Sequence, residues 1–208
     1  LNGDTINKRQ LEKIIQSGSF DSLFKNRNKL FDNVENFVKI YGGTNNSKTK
    51  NQELLFEDNK NSFDDKNLFK QNISEWNSNE LLKYELDVVG FYFSNHPLSY
   101  YPSTFFSDNN IIEYDTLLNS TDLKSASLVG SILDIKERSN RTGKKYAFLT
   151  VSNLSSQFEI TIFSDTLKIY KNLLKEGNLL LFDVDATRDT GNLRLIARKV
   201  IDFNNYFN

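Results

Sequence analysis

The residues of this sequence that could support catalysis are few and poorly placed. The nearest approaches to paired carboxylates are Asp64-Asp65 and Asp183-x-Asp185. The second pair alternates along a predicted strand and shares one face, but no third acidic ligand accompanies it, as a two-metal site would require. His96 is the single histidine and Cys is absent, so a structural His96 before a Pro turn is favoured over a metal ligand or a base. We therefore predict no catalytic residue, no metal site and no cofactor in this chain itself.

A second group of residues is suited to binding nucleic acid. Basic side chains gather around a predicted hairpin in which Glu137 is the only acid. Such cations contact phosphates, and neighbouring aromatic rings stack on bases. The predicted binding residues are Lys136, Arg138, Arg141, Lys144, Lys145, Tyr146 and Phe148, with Phe163 and Arg188 as further candidates. Glu159 should project onto the same face and argues for weak or selective binding. The alternative is a solvated, charged hairpin without a ligand.

The elements that must position these residues are strands with period-two alternation. Val129, Ser131, Leu133 and Ile135 alternate with Gly130, Ile132 and Asp134 in the first strand, and 145–152 and 158–163 alternate likewise. A helix follows over 164–174, with Ser164 as its N-cap and Leu167, Tyr170 and Leu174 on one side. Strands 179–187 and 193–200 complete the run. Three strands, a helix and two strands are the element order of the five-stranded OB-fold barrel, which binds oligonucleotides across strands two and three.

Charge and composition agree with this interpretation. Residues 125–200 carry 12 Lys+Arg against 8 Asp+Glu, a net +4, whereas 1–124 carry 14 against 18, a net −4. The absence of Cys fits a reducing cytoplasm. Apolar runs are far too short to span a membrane. The chain begins with Leu and contains no Met, which suggests a piece of a longer protein.

The region before the barrel is predicted to be helical. Asn7 and Gln10 form a capping box for a first helix that Gly18 ends. A second helix carries one continuous apolar stripe, Leu30, Val34, Phe37, Val38 and Tyr41. A third begins after a capping box of Asn77 and Glu80 and buries Leu82, Leu86 and Val89. The connection over 99–124 is aromatic at Tyr100, Tyr101, Phe105 and Phe106 and is expected to pack between helix and barrel.

Between these helices the apolar content falls, and residues 42–72 are predicted to form a flexible linker. The linker contains one apolar island, Gln52-Glu53-Leu54-Leu55-Phe56. We interpret Gln52, Leu54, Leu55 and Phe56 as a short linear motif that binds a partner. The alternative is that these side chains fold back onto their own domain.

Three segments carry a family resemblance. INKRQLEKIIQSGSFDSL at 6–23 resembles a pattern of the type INKR-x-LE-x-LI-x-x-GAFD-x-L, with Ser19 in place of Ala. ELLKYELDVVGFYFSNHPL at 80–98 resembles E-x-x-x-LGFYLSGHPL, with Val89, Phe93 and Asn95 as departures. KERSNRTGKKYAFLTVSN and FEITIFSD resemble an OB domain that follows them. Together they resemble the C-terminal part of the alpha subunit of bacterial DNA polymerase III.

The resemblance implies functions for the parent protein and for two parts of this chain. It implies a DNA-directed DNA polymerase whose Mg-dependent catalytic palm lies upstream, and a contact with the clamp loader downstream. It identifies Gln52, Leu55 and Phe56 with a pentapeptide that binds the sliding clamp, with Leu54 at the variable hydrophobic position. The barrel would bind single-stranded template DNA. The first helix of a helix-hairpin-helix unit would precede Leu1, which puts duplex binding by 1–23 in doubt.

We therefore predict an α+β multidomain chain acting in DNA replication in the cytoplasm, without a membrane contact. Its segments are a helical region at 1–41, the linker at 42–72, a helix and connection at 73–124, and an OB-fold domain at 125–203. Two alternatives share the barrel. One is an anticodon-binding module of an aminoacyl-tRNA synthetase, and the other is a barrel used only for protein docking.

Overall fold

The computed structural model describes residues 6–42, 73–189 and 192–206. Contacts divide the chain into two units, residues 1–89 and 90–208, and this division falls inside the predicted segment 73–124. The first unit contains helices α1 (Lys8–Gln16), α2 (Arg27–Asp32), α3 (Val34–Gly42) and α4 (Ser78–Val89). Predicted linker residues 43–72 lie outside the described residues. In the described ranges no helix is long and apolar enough to cross a membrane.

The second unit contains the barrel and the segment that leads to it. Before the strands come a 3-10 helix (Pro97–Tyr100), α5 (Ser103–Asp108) and α6 (Tyr114–Asn119). The strands are β1 (Ser125–Ser139), β2 (Lys145–Ser152), β3 (Gln157–Ile162), β4 (Leu179–Asp189) and β5 (Asn192–Asp202). Helix α7 (Ser164–Tyr170) lies between β3 and β4, and α8 (Phe203–Tyr206) follows β5. The predicted fold class, helices followed by an OB-fold barrel, is confirmed.

Two helices of the first unit begin as predicted. In α1 the Asn7 side chain accepts the Gln10 N–H at 2.9 Å, and the Gln10 side chain accepts the Asn7 N–H at 3.0 Å. Asn77 and Glu80 exchange the same pair of hydrogen bonds at the start of α4. These reciprocal bonds satisfy backbone donors that have no partner within the helix.

The predicted second helix is wrong, because the structure contains two helices that meet at Asn33. The Asn33 side chain is fully buried and donates to the Lys29 carbonyl at 2.8 Å. Its own carbonyl accepts the N–H groups of Asn36 and Phe37. Apolar spacing continues through this break, so the stripe alone does not reveal that a polar side chain ends one helix and starts the next.

The first unit is organised around a buried guanidinium. Arg27 is 5% exposed and Glu85 on α4 is 0% exposed, with the Arg27 Nη1 atom 3.0 Å from Glu85 Oε1. Asp21 accepts from Arg27 Nε at 2.8 Å, and this contact raises the pKa of Arg27. At Gly18, where φ is +80°, a Cβ would overlap the Arg27 guanidinium.

The predicted apolar side of α4 is confirmed at two of its three positions. Leu82 and Leu86 are buried, whereas the prediction is wrong for Val89, which is 36% exposed.

Residues on two strands fill the barrel as their alternation predicts. Ala147, Leu149 and Val151 on β2 are completely buried, as are Ile160 and Ile162 on β3. The strands close in the order β1-β2-β3-β5-β4. β3 and β5 run parallel, and the other neighbouring strands run antiparallel. The N-cap of helix α7 is Phe163, which makes no side-chain hydrogen bond, and not the predicted Ser164. The helix ends at Tyr170, four residues earlier than predicted.

Strand β1 departs from simple alternation because it pairs with two neighbours in turn. Residues 125–131 pair with β4 and 131–139 pair with β2. Residues 128–133 are buried on both faces. Gly130 lies at the change of partner, where a Cβ would come within 2.4 Å of a Val151 methyl and 2.6 Å of the Ser152 carbonyl oxygen. Such overlap with backbone leaves no room for a larger residue.

The outer face of β1 and β4 is covered by the chain itself. A second apolar cluster there consists of Leu98, Ile111, Val129, Leu179, Leu181 and Phe203. Tyr101, Phe105 and Phe106 from the connecting segment pack against it, whereas Tyr100 is 55% exposed. From α6, Leu117 enters the barrel core. The aromatic connection therefore covers one side of the barrel.

We expect Glu85→Gln to lower the free energy of unfolding of the first unit by about 2–3 kcal/mol, because buried Arg27 loses a charged partner. Trp76, the only tryptophan, lies against Phe31 and Tyr84 in this unit. Its fluorescence during urea unfolding therefore measures the change. Asp87→Asn makes the same chemical change at an exposed position of α4 and should cost less than about 0.5 kcal/mol. Equal destabilisation by the two variants would contradict the importance of the buried pair.

Candidate nucleic-acid interface

The strand register places aromatic and basic residues on one outer surface of the barrel. Phe148 pairs with Lys136 of β1 and with Thr161 of β3, and Tyr146 pairs with Arg138. Because their neighbours Ala147 and Leu149 point into the core, Tyr146 and Phe148 point outward. We call this surface the β1–β2–β3 face; its residues are Lys136, Arg138, Tyr146, Phe148, Thr150, Glu159 and Thr161.

The two aromatic rings at the centre of this face, Tyr146 and Phe148, contact each other edge to face. The Tyr146 and Phe148 centroids are 5.5 Å apart at an interplanar angle of 82°. Both side chains are half-buried. Ile162 pairs with Ala147 at the end of β3. The next residue, Phe163, is 51% exposed. Aromatic surface is thus available along β2 and at the end of β3.

Of the predicted basic residues around the hairpin, Lys136 and Arg138 lie beside these rings, and the others lie at or near the β1–β2 turn. Lys136 and Arg138 belong to β1 and Lys145 to β2, so that Arg141 and Lys144 alone lie in the turn. The Asn140 side chain accepts the N–H groups of Thr142 and Lys144 at 3.0 and 2.9 Å. This turn therefore has a defined backbone conformation, with Gly143 at φ +76°.

Some of these cations already have an acidic neighbour. Lys136 lies 3.1 Å from Asp134, and Lys145 lies 3.8 Å from Glu137. Within the ranges that the structure describes, no carboxylate lies within ion-pair distance of Arg138, Arg141 or Lys144. Surface pairs of this kind contribute little energy and can exchange for a phosphate.

As predicted, Glu159 lies on the same face, because it pairs with Thr150 two positions from Phe148. Its side chain is exposed. A carboxylate here repels phosphates that approach β3, so the attractive surface is concentrated on β1, β2 and the turn.

Arg188 does not join this group. Its guanidinium donates to the carbonyls of Leu117 at 2.6 Å and Leu123 at 3.1 Å. It therefore holds the end of α6 and the approach to β1. Sequence reasoning also missed two lysines, Lys168 and Lys171 on and just after α7, which line a cavity with Lys144 and Lys145. Their i, i+3 spacing after Ser164 is the signal that could have identified them.

His96 is structural, as predicted. Its Nδ1 atom accepts the Leu98 N–H at 3.1 Å, and Nε2 lies 3.1 Å from the Ser152 hydroxyl. Tyr92 contacts the His96 ring edge-on and shares a 2.8 Å hydrogen bond with Ser131. Ser131 and Ser152 are a buried pair across β1 and β2. Burial lowers the pKa of His96 to about 4, so the ring is neutral near pH 7.

The carboxylates that could have suggested metal chemistry have other contacts. Asp183 accepts from the Ser127 hydroxyl at 2.6 Å, and Asp185 lies 3.2 Å from Arg198 Nε. No group of three or more His, Asp or Glu side chains in the described part of the chain could hold a metal ion. Asp64-Asp65 and the island at Gln52, Leu54, Leu55 and Phe56 lie outside the described residues.

Comparison with curated proteins gives one consistent result. The chain is 28% identical over 200 residues to DNA polymerase III subunit alpha of Borreliella burgdorferi, covering 95% of this chain and 17% of that protein. It is 30% identical over 209 residues to the subunit of Rickettsia prowazekii, covering 98% and 17%. The resemblance to DNA polymerase III subunit alpha is confirmed. The chain spans about one sixth of the length of these relatives, and no protein-family model matches it.

Solved structures similar to the chain include two single-stranded DNA binding proteins. The mitochondrial protein Rim1 from S. cerevisiae is 18% identical, with a TM-score of 0.35 over 40% of this chain and 96% of that one. The protein from Thermus aquaticus is 20% identical, with a TM-score of 0.33 over 38% and 40%. The assignment of the fold rests on the strand order and pairing above.

The second unit should lose stability as the pH falls from about 6.5 to about 4. The unfolded chain binds a proton at His96 in this range and the folded chain does not, so lower pH favours unfolding. Allowing for partial exposure, the loss is about 1–2 kcal/mol. Thermal unfolding of wild type and His96→Gln at several pH values measures it, because the variant lacks this titration. An NMR titration of the His96 ring near pH 6.5 would contradict the prediction.

Proposed function

We propose that this chain binds single-stranded DNA on the β1–β2–β3 face. The observation that supports this most strongly is the pairing of Tyr146 with Arg138 and of Phe148 with Lys136, which sets each ring beside a cation. The outer face of β1 and β4 is covered by Leu98, Phe203 and their neighbours. On the β1–β2–β3 face, by contrast, Lys136 and Arg138 are exposed and the two rings are partly exposed.

This arrangement matches the chemistry of an unpaired strand. Its bases offer apolar faces, which stack on rings such as Tyr146 and Phe148 without reading sequence. Its phosphates carry one negative charge each and meet cations along β1 and the turn. Glu159 limits the number of phosphates that can approach β3, so the affinity is moderate and depends on salt. Such binding suits a site that must release the strand as it moves.

We place this activity in DNA replication, because the relatives are alpha subunits of DNA polymerase III. Nucleotide transfer, with the Mg ions that the resemblance implies, belongs in this proposal to other parts of a longer protein. The present chain would guide template toward that centre. The clamp loader and other replicase subunits would be reached through the longer protein. A cytoplasmic location remains a prediction.

A second part of the proposal concerns Gln52, Leu54, Leu55 and Phe56. An extended peptide would insert Leu55 and Phe56 into an apolar pocket of the sliding clamp, while Gln52 fixes the register by hydrogen bonds. A polymerase tethered to a ring around DNA rebinds the primer end instead of diffusing away, because its effective concentration is high.

We expect Phe148→Ala to weaken binding of a labelled oligo-dT by about 5- to 100-fold, because one base loses its stacking partner. Lys144→Ala should weaken binding less, and should also reduce the dependence of affinity on salt. Fluorescence anisotropy at several salt concentrations measures both changes. Tyr100→Ala is the control, since it removes an exposed aromatic ring outside the face.

Three results would contradict the assignment of this face. Equal affinity of wild type and a Phe148→Ala, Lys144→Ala double variant would show that DNA binds elsewhere. Tighter binding of a structured RNA loop than of oligo-dT would favour the anticodon-binding alternative. Absence of any nucleic-acid binding at physiological salt would favour a protein-docking barrel.

The clamp tether has a separate test. Surface plasmon resonance of this chain against the sliding clamp of the same bacterium should show micromolar or tighter binding, and a Gln52→Ala, Leu55→Ala, Phe56→Ala variant should lose it. A matched variant, Gln16→Ala, Leu23→Ala, Phe24→Ala, changes the same residue types outside the motif and should retain it. Binding that survives the motif substitutions would place the contact elsewhere in the chain.

A further inference from the structure

A basic cavity lies between the β1–β2 turn and the helix that follows β3. Its volume is about 270 Å³. Its lining residues are Glu137, Thr142, Gly143, Lys144, Lys145, Ser164, Leu167, Lys168 and Lys171. Two distant pieces of sequence thus contribute two lysines each. We call it the lysine cavity.

The charges around the lysine cavity do not balance. Lys145 lies 3.8 Å from the only carboxylate in the lining, that of Glu137. For Lys144, Lys168 and Lys171 the described part of the chain gives no ion pair. Four ammonium groups around one cavity repel one another and raise the local concentration of anions. A bound anion would remove this repulsion.

The position of the cavity indicates which anion fits. Lys145 directly precedes Tyr146, and Ser164 directly follows Phe163, so each of the two chain segments that line the cavity continues into an aromatic residue of the candidate interface. A strand whose bases stack on these rings must carry its phosphates past one edge of the face. The ammonium of lysine is a compact point charge suited to phosphate. The Ser164 hydroxyl adds a group that can donate to a phosphate oxygen, whereas the Thr142 hydroxyl donates to the Asn140 side chain at 2.7 Å.

We infer that the lysine cavity binds backbone phosphates of single-stranded nucleic acid and leads the strand off the β1–β2–β3 face toward α7. Lys168 and Lys171 are then binding residues that extend the interface beyond the β1–β2 hairpin. This inference deepens the proposed function and depends on it for the nature of the ligand.

The test compares two double variants of the full chain by fluorescence anisotropy. Lys168→Gln, Lys171→Gln changes the cavity. Lys124→Gln, Lys175→Gln removes the same charge from exposed positions of the second unit outside its lining. Two strands are used, oligo-dT and an abasic oligomer of the same length, which has phosphates but no bases. Inorganic phosphate is added in a parallel series as a competitor.

The cavity variant should bind both strands about 3- to 10-fold more weakly at low salt, and the slope of log affinity against log salt should fall by about 1.4, or 0.7 for each lost phosphate contact. The control variant should keep the wild-type slope. Competition by inorganic phosphate at low concentration would assign the cavity to free phosphate instead and would overturn the inference. Equal slopes for the two variants would also overturn it.

The abasic strand separates this inference from the proposed function. Phe148→Ala should weaken oligo-dT binding but leave abasic binding unchanged. If oligo-dT binding is insensitive to Phe148→Ala while abasic binding requires Lys168 and Lys171, the stacking face fails and the cavity stands. If the reverse holds, the cavity fails and the face stands.

Discussion

The barrel depends on one strand that serves two neighbours, and on the glycine that allows the change. β1 pairs first with β4 and then with β2, and at Gly130 a Cβ would come within 2.6 Å of the Ser152 carbonyl oxygen. A side chain there would push β2 away, because the Ser152 carbonyl cannot move without breaking the sheet. If β2 moved, Tyr146 and Phe148 would no longer lie beside the cations of β1. The candidate interface is therefore a consequence of a steric limit on its reverse side.

Two outer surfaces of the barrel, that of β1 and β4 and the β1–β2–β3 face, differ in whether apolar side chains of the same chain cover them. One is sealed by apolar contacts with Leu98 and Phe203 and by a neutral His96 that engages Ser152. Two of the three segments that suggested the family contain residues with internal packing roles. His96 and Leu98 lie in the segment at 80–98, and Gly18, in the segment at 6–23, makes room for the guanidinium of Arg27. The third segment, which includes 136–153, carries the basic and aromatic residues of the candidate interface.

The sequence predicted what depends on local periodicity and failed where a single polar residue overrides it. Alternation along β2 was sufficient to place Ala147 inside and Phe148 outside. The stripe through Val34 could not reveal the break at Asn33, because its cause is a buried hydrogen bond to Lys29. The burial of Glu85 could not be predicted from local sequence either, because its partner Arg27 is distant in the chain. The cavity was missed for the same reason, because folding brings together lysines from a turn and a helix.

The closure of the barrel is uneven. β3 joins β5 through a short parallel pairing, Ile160 with Leu195 and Thr161 with Ile196, whereas β4 and β5 pair along nearly their whole described lengths. The seam between β3 and β5 is thus the shortest border in the described barrel, and it adjoins the strand that carries Glu159 and Thr161. Local opening should begin there and reach the outer face of β3 before the rest of the core. Glu159 and Thr161, which lie on that face, would then be the first part of the candidate interface to move.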